Sequence, residues 1–461
     1  MDILREDLGY IFRIKAYLQK RPKLLYALLL LFGIWAAYYI VSPWDYLSQE
    51  QINNITNIYM NSRLYRLNQC IQQILAGNQP QVMDHNPSFY FYASYLGVML
   101  GKTEAWQVFL FLQSGAAVFA LLLYPTLIYK LTNTILPALA SPFFLNTFIG
   151  WTIYKCKTDS YWSMAWIVVI GLPLLGIFFR EKCGWIKWVA FAGICLCMGL
   201  GNLPRMHSSL GIFLLLMTGL VKEYVIPLKK KRSQKAVFQV CTLLILVLVS
   251  YTLFTGLIPK LYLATTGQDG KIEAFGPWHT IYAGLGWEEN EYGFQFNDGY
   301  VDEQAKKIDP SVVYCSPEYM DILKDEWFRL WREDPGYMLG TYYRKLMACL
   351  NLCLRYPDYA GYDGGHYLKI FLLAVCILRY VCKRRKILAS WGPLLLSALF
   401  CCLFGIVFPM IAIPHIFYIM SSFAANGMLF VFAALAIMQG IIDAAEEFSR
   451  RDSIKLTEKG A

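Results

Sequence analysis

The chain has 461 residues, 57% of them hydrophobic, 16% aromatic and only 16% charged. Its repeated uninterrupted apolar runs exclude a soluble globular protein and predict an all-α polytopic membrane protein, because helices satisfy their own backbone hydrogen bonds in lipid. The net charge of +10 is not a nucleic-acid signature. Lys and Arg concentrate in short segments between the apolar runs, where they act as an orientation signal.

Residues 1–23 are basic and amphipathic (Leu4, Leu8, Ile11) and form the expected cytoplasmic N-terminus. The apolar run at 24–41 is too long for a signal-peptide core and no small-residue cleavage site follows it, so it reads as an uncleaved anchor. About ten spans are predicted, at 24–42, 105–129, 133–152, 160–179, 185–201, 207–222, 236–257, 367–382, 388–411 and 415–442. With the N-terminus inside, alternation also puts the basic segments 180–187, 222–235 and 379–386 inside, together with the tail at 443–461 that carries Arg450 and Arg451. That agreement predicts a multi-pass protein of the plasma (inner) membrane with both termini cytoplasmic. The domains follow: a transmembrane module at 24–257, a large outer loop at 258–366 and C-terminal spans at 367–442.

This topology leaves 43–104 and 258–366 outside. The first outer segment opens with Ser42-Pro43-Trp44-Asp45, so Asp45 stands at a membrane face just beyond the first span; a merely solvated acid beside a helix end is the alternative. Ser48-Gln49-Glu50-Gln51 fits a capping box. Apolar residues from Ile52 to Leu75 then recur at helical spacing until Gly77 and Pro80 interrupt them. Asn86-Pro87 restarts a helix, and Gly101 ends it. The pattern is that of two surface-lying helices, with Asp45 before the first and Asp84-His85 before the second.

The second outer segment begins with Gly276-Pro277-Trp278-His279 and continues to Glu288, Glu289, Glu291 and Asp298. Alternating aromatic, glycine and acidic residues predict a shaped binding loop. A helix is expected to start at Ser316-Pro317-Glu318. The stretch 337–356, apolar but interrupted by Arg344-Lys345, reads as a helix at the outer surface, since a span there would break the charge alternation.

No predicted span has an ionisable residue in its middle, which counts against a pump or transporter. All five histidines (85, 207, 279, 366 and 415) fall at the outer face, yet no two share metal-ligand spacing. The thirteen cysteines lie mostly inside apolar runs without CxxC pairs and read as packing residues. Two short outer turns carry Lys155 and Lys157, and Arg205 with His207. Cations there oppose the positive-inside bias, and a phosphate at the membrane surface would account for them; a pair with Asp159 or a lipid headgroup is the alternative for the lysines. No nucleotide loop, GxSxG, HExxH or EF-hand pattern is present.

Taken together, a span, an acid in the first outer loop (Asp45), two surface helices around a Gly/Pro turn, Asp84-His85-Asn86-Pro87, and the stretch 122–129 followed by Lys130-Leu131-Thr132-Asn133 resemble the integral-membrane glycosyltransferases of GT-C fold. That group includes protein O-mannosyltransferases and the lipid A aminoarabinose transferase. The resemblance covers about 20–220. Tyr46 stands where a second acid is often found, and His85 where a lysine is. The resemblance implies an extracytoplasmic transferase of the cell envelope, working in glycan biosynthesis. It would move a sugar from a polyprenyl-phosphate carrier to a glycan, lipid or protein acceptor, with no nucleic-acid partner.

In that chemistry a poorly nucleophilic hydroxyl needs a carboxylate base, and the phosphate leaving group needs cations. The implied roles are Asp45 as base, Asp84 as second acid, and Arg205, His85, Lys155 and Lys157 around the donor phosphate. Trp278, His279 and Asp298 are acceptor-side candidates on outer position and character alone. No motif commits the chain to a cofactor, and a divalent cation is compatible with a lipid-phosphate donor. An O-antigen ligase or polymerase, and less so a lipid-linked-saccharide flippase, are the rival readings.

Overall fold

The computed structural model describes residues 17–41, 63–80, 87–146, 162–181, 184–203, 208–222, 257–267, 277–354, 385–414 and 418–459, with three isolated residues at 241, 244 and 245. Among these, every regular element is a helix. In chain order they are α1 (Pro22–Val41), α2 (Arg63–Leu75), α3 (Pro87–Met99), α4 (Ala105–Thr132), α5 (Ile135–Leu145), α6 (Trp162–Arg180), α7 (Trp185–Asn202) and α8 (Leu210–Leu220). There follow α9 (Ile258–Thr266), α10 (Pro277–Ala283), α11 (Asp298–Ile308), α12 (Pro317–Glu333), α13 (Pro335–Leu354), α14 (Arg385–Gly405), α15 (Val407–Ile411) and α16 (Met420–Lys459).

Five stretches are long and apolar enough to cross a membrane: Pro22–Val41, Ala105–Thr132, Trp185–Asn202, Ser390–Ile411 and Met420–Ala445. The expectation was ten. The expected spans 133–152, 160–179 and 207–222 coincide with shorter apolar stretches, Ile135–Leu145, Ala165–Arg180 within α6, and Leu210–Leu220. The other two, 236–257 and 367–382, lie almost wholly outside the described residues. Among the described residues the chain is thus helical without strands and suited to a bilayer, with five stretches of spanning length.

Side-chain contacts fix the direction of each helix in the bundle. Along α1 and α4, Tyr26 meets Tyr129 with ring centroids 5.6 Å apart, while Gly33 abuts the Leu122 backbone so closely that a Cβ would collide with its carbonyl. These two helices are antiparallel. Tyr124 donates to Val169 O at 2.6 Å and Leu131 lies beside Gly176, so α6 runs parallel to α4. A hydroxyl this deep in an apolar core needs such a partner. The pairs Phe178–Phe191 and Ile167–Gly201 turn α7 back along α6. Ile212 beside Gly171 and Phe179 beside Gly219 make α8 parallel to α6. Finally, Trp391 reaches Phe432 and Ser422 Oγ donates to Cys402 O at 2.9 Å, an antiparallel α14–α16 pair.

All these directions agree with alternating spans. One end of the bundle, the loop end, gathers Val41, Ala105, Trp162, Asn202, Leu210, Gly405 and Met420. The opposite, basic end gathers Pro22, Thr132, Arg180, Trp185, Leu220 and Arg385. There Lys130 pairs with Glu181 at 3.0 Å, and Asn133 closes α4 in the left-handed region (φ 58°) with its N–H on Tyr129 O, a conformation Asn tolerates.

The helices α2 and α3 pack at the loop end. Leu64, Leu67, Cys70 and Ile71 form a buried stripe on α2, Asn68 Oδ1 accepts from Ala105 N at 2.6 Å, and Phe91 on α3 meets Tyr262 on α9. Gly77 and Gly101 adopt φ values of 78° and 70° just past the two helices, where glycine carries no Cβ penalty.

Candidate functional site

The helices α10 to α13 form a small unit with its own core, built from residues including Tyr282, Leu285, Val301, Tyr319, Leu323 and Met338. Local chemistry sets its boundaries. Ser316 Oγ accepts from Tyr319 N at 3.2 Å with Pro317 in the first turn of α12, the capping expected of Ser followed by Pro. Asn297 Oδ1 accepts from Gly299 N at 2.8 Å and starts α11. Asp334 Oδ1 accepts from Tyr337 N at 2.9 Å and starts α13. Asp334 also accepts from the Tyr292 hydroxyl at 2.8 Å. These two bonds, the backbone one foremost, hold its carboxyl below the usual range.

Within the unit, His279 and Asp298 come together. His279 Nε2 lies 3.1 Å from Asp298 Oδ1 and its Nδ1 lies 2.8 Å from the Tyr319 hydroxyl. An ionised carboxylate can only accept, so in neutral His279 the proton sits on Nε2 and Nδ1 accepts from Tyr319. Burial, followed by the neighbouring Tyr314, pushes the Tyr319 hydroxyl well up from its usual value, which keeps it a donor. The His279 side chain is 3% exposed and that of Asp298 64%. The result is a carboxylate at a helix N-terminus, facing solvent, braced from behind by a buried imidazole and phenol. The helix dipole favours its charge. Such a group can hold a hydroxyl-bearing ligand by accepting its hydrogen bonds.

Trp278 turns elsewhere, onto Trp327 and Phe328, with centroids 5.6 and 5.7 Å away. Over the predicted shaped loop, Pro277–Ala283 is helical and leads into a 3-10 turn at Gly284–Gly286, and residues 287–297 that follow are irregular. His279 is thus buried within the unit, where it braces Asp298 and Tyr319, because its turn of helix faces inward.

The unit docks on the loop end of the bundle through Lys345. This side chain on α13 is fully buried. Its Nζ donates to Ala412 O at 2.8 Å and Ile411 O at 3.4 Å, where α15 ends, and lies 5.1 Å from the centre of the Tyr342 ring. Gly284 fits against the same Ala412 carbonyl so closely that a Cβ would clash with it and lie 2.9 Å from Nζ. Burial pushes the amine down to about 7, although Cys349 and Glu288 pull it upward. Beyond Lys345 the helix joins the bundle core through Leu346, Cys349 and Leu350. The sequence signals Lys345 only as a charge interrupting an apolar run, and a partner that is a backbone carbonyl has no signature at all.

Asp45, Asp84, His85, Lys155, Lys157 and Arg205 lie outside the described residues. Described residues near some of them in the sequence make hydrogen bonds between elements. Asn202 Nδ2 donates to Ser209 Oγ at 2.7 Å and Asn202 Oδ1 accepts from Ser209 N at 3.0 Å, a buried clamp joining the end of α7 to the start of α8. Gln79 Nε2 donates to Thr265 O at 3.4 Å. Among the described residues no group of three His, Cys, Asp or Glu side chains converges as a metal site. No protein family, curated protein or solved structure matches the chain.

Proposed function

We propose that the protein is a membrane glycosyltransferase that takes a sugar from a polyprenyl-phosphate carrier and passes it to an acceptor at the loop end of the bundle. One observation supports the reading: the described residues nearest in sequence to the candidate groups lie at that end. Val41 precedes Asp45, Pro87 follows Asp84 and His85, Trp162 follows Lys155 and Lys157, and the Asn202–Ser209 clamp flanks Arg205. The exposed Asp298 belongs to a unit docked on the same end. The basic end, with Arg21, Lys23, Lys130, Arg180 and Lys187, has the character of a cytoplasmic face, which supports an extracytoplasmic loop end.

In this reading the lipid tail of the donor occupies the bilayer beside the bundle while its phosphate meets Arg205, with His85, Lys155 and Lys157 nearby. Asp45 removes the proton from the acceptor hydroxyl as that oxygen attacks the anomeric carbon. The bond to the carrier phosphate breaks, and the cations stabilise the charge that develops on it. Asp84 supports Asp45, and Asp298 receives acceptor hydroxyls.

The test uses the feature common to all such donors. Polyprenyl phosphate, titrated into the purified protein in detergent, is expected to bind and to raise its thermal midpoint. Arg205→Ala should weaken that binding about tenfold or more, the worth of a charge-assisted hydrogen bond. Arg205→Lys should restore only part, since a point charge lacks the guanidinium fork. No binding to the wild type, or unchanged binding in Arg205→Ala, would remove the donor assignment.

A further inference from the structure

The two long helices of the docked unit present different outer faces. On α12 the exposed face is mostly charged, carrying Glu318, Asp321, Asp325 and Arg329, with Phe328 its one large apolar side chain. On α13 it is apolar: Leu339, Tyr343 and Met347 are 61%, 63% and 47% exposed. They recur every four residues and therefore line one side of the helix. Arg344, the charge next to this stripe, is drawn off it by an ion pair with Glu288. The opposite side of α13 is already occupied, by the unit's core at Met338 and by the bundle at Lys345 and Cys349.

What covers the stripe follows from where the helix is pinned. The Lys345 amine grips the Ala412 carbonyl, one residue beyond the apolar stretch Ser390–Ile411 that is long enough to cross a membrane. The middle of α13 thus sits at the level where that stretch leaves hydrocarbon. On α14, which leads up to this point, Leu396, Phe400 and Leu403 are exposed in the same way, as expected of a lipid-facing side. A helix held at this depth with one uncharged apolar face has the build of an interfacial helix, buried by about 5–10 Å at the headgroup boundary.

We infer that α13 is a membrane-surface helix whose Leu339, Tyr343 and Met347 insert among the upper acyl chains of the bilayer at the loop end, so that lipid and Lys345 together hold the docked unit. The two observations that carry it, the apolar stripe and the anchor depth, do not depend on the transferase reading.

The experiment is lipid photolabelling of the full chain in vesicles of phosphatidylcholine and phosphatidylglycerol. A phosphatidylcholine tracer bears a diazirine on its upper acyl chain, and adducts are located by peptide mass spectrometry. Adducts are expected at Leu339, Tyr343 and Met347 with a yield comparable to those on the 396–403 stretch, and none at Glu318, Asp321 or Asp325. The double variant Leu339→Glu, Met347→Glu should lose most label at Tyr343 while α14 remains labelled, which also reports that the bundle is intact. An unlabelled stripe beside a labelled α14 would overturn the inference. So would disulfide formation between two copies of Tyr343→Cys under mild oxidation, which would make the stripe a protein contact.

Discussion

At the scale of single residues, the most consequential side chain is one whose role no motif announces. Lys345 is held with its amine near neutrality, at about 7 against an ordinary value of 10.5, by burial first of all. Between those two values the unfolded chain binds a proton that the folded protein does not, so stability should rise with pH across that window and level off above it. A neutral amine still donates to the Ala412 carbonyl, so the bond survives deprotonation. Thermal unfolding in detergent from pH 7 to pH 10 should show this rise in the wild type and a flatter profile in Lys345→Met. Equal slopes in both proteins would place the titration elsewhere. The same scale shows what the sequence conceals. His279 and Asp298 stand out as outer polar residues, and they do meet, but the brace is completed by Tyr319, forty positions beyond His279. A helix-start tyrosine carries no mark of such a partner, and the burial of His279 is a property of the assembled unit.

At the scale of elements, local chemistry was the most legible part. The start of α12 is readable from Ser316-Pro317-Glu318 because a cap is a matter of three or four neighbouring residues. Gly77 and Gly101 mark helix ends for the same kind of reason. Close approach between elements is not readable this way, since a glycine against a distant carbonyl looks like any other glycine. Gly284 is the telling case. An added methyl there meets the Ala412 backbone, which cannot yield as a flexible side chain would. Gly284→Ala should cost on the order of 1–3 kcal/mol, the usual range for overpacking, and should raise hydrogen exchange in the 407–412 turn. Gly115→Ala on α4 is the control, because nothing lies within 4 Å of the added carbon. It should be neutral or stabilising, as Ala for Gly in a helix is by roughly 0.5–1 kcal/mol. Similar losses in both variants would mean that the Gly284 contact does not hold the unit in place.

At the scale of the whole molecule, hydropathy foretold an all-helical membrane chain, and contacts within the bundle give its helices alternating directions. Of the ten expected spans, five coincide with stretches of spanning length among the described residues, three with shorter apolar stretches such as Leu210–Leu220, and two lie almost wholly outside the described residues. Orientation in the bilayer rests on charge, and reporter fusions test it. Fusions after Ala76 and Asp298 should report outside, and fusions after Lys231 and Lys386 inside. An inside signal at Ala76 would put the loop end in the cytoplasm and remove the surface-site account.

The central claim is that Asp45 acts as the base in sugar transfer at the loop end, and substitution by its near-isostere tests it most directly. Asparagine keeps the size and a hydrogen bond but cannot take a proton from a hydroxyl at neutral pH. Transfer from a polyprenyl-phosphate-linked sugar, measured with purified folded protein, should fall in Asp45→Asn by about 10²–10⁴-fold. Polyprenyl phosphate binding should stay close to that of the wild type, and Asp84→Asn should lose less. Wild-type turnover in Asp45→Asn would contradict the account and leave Asp45 a solvated acid at the end of a helix.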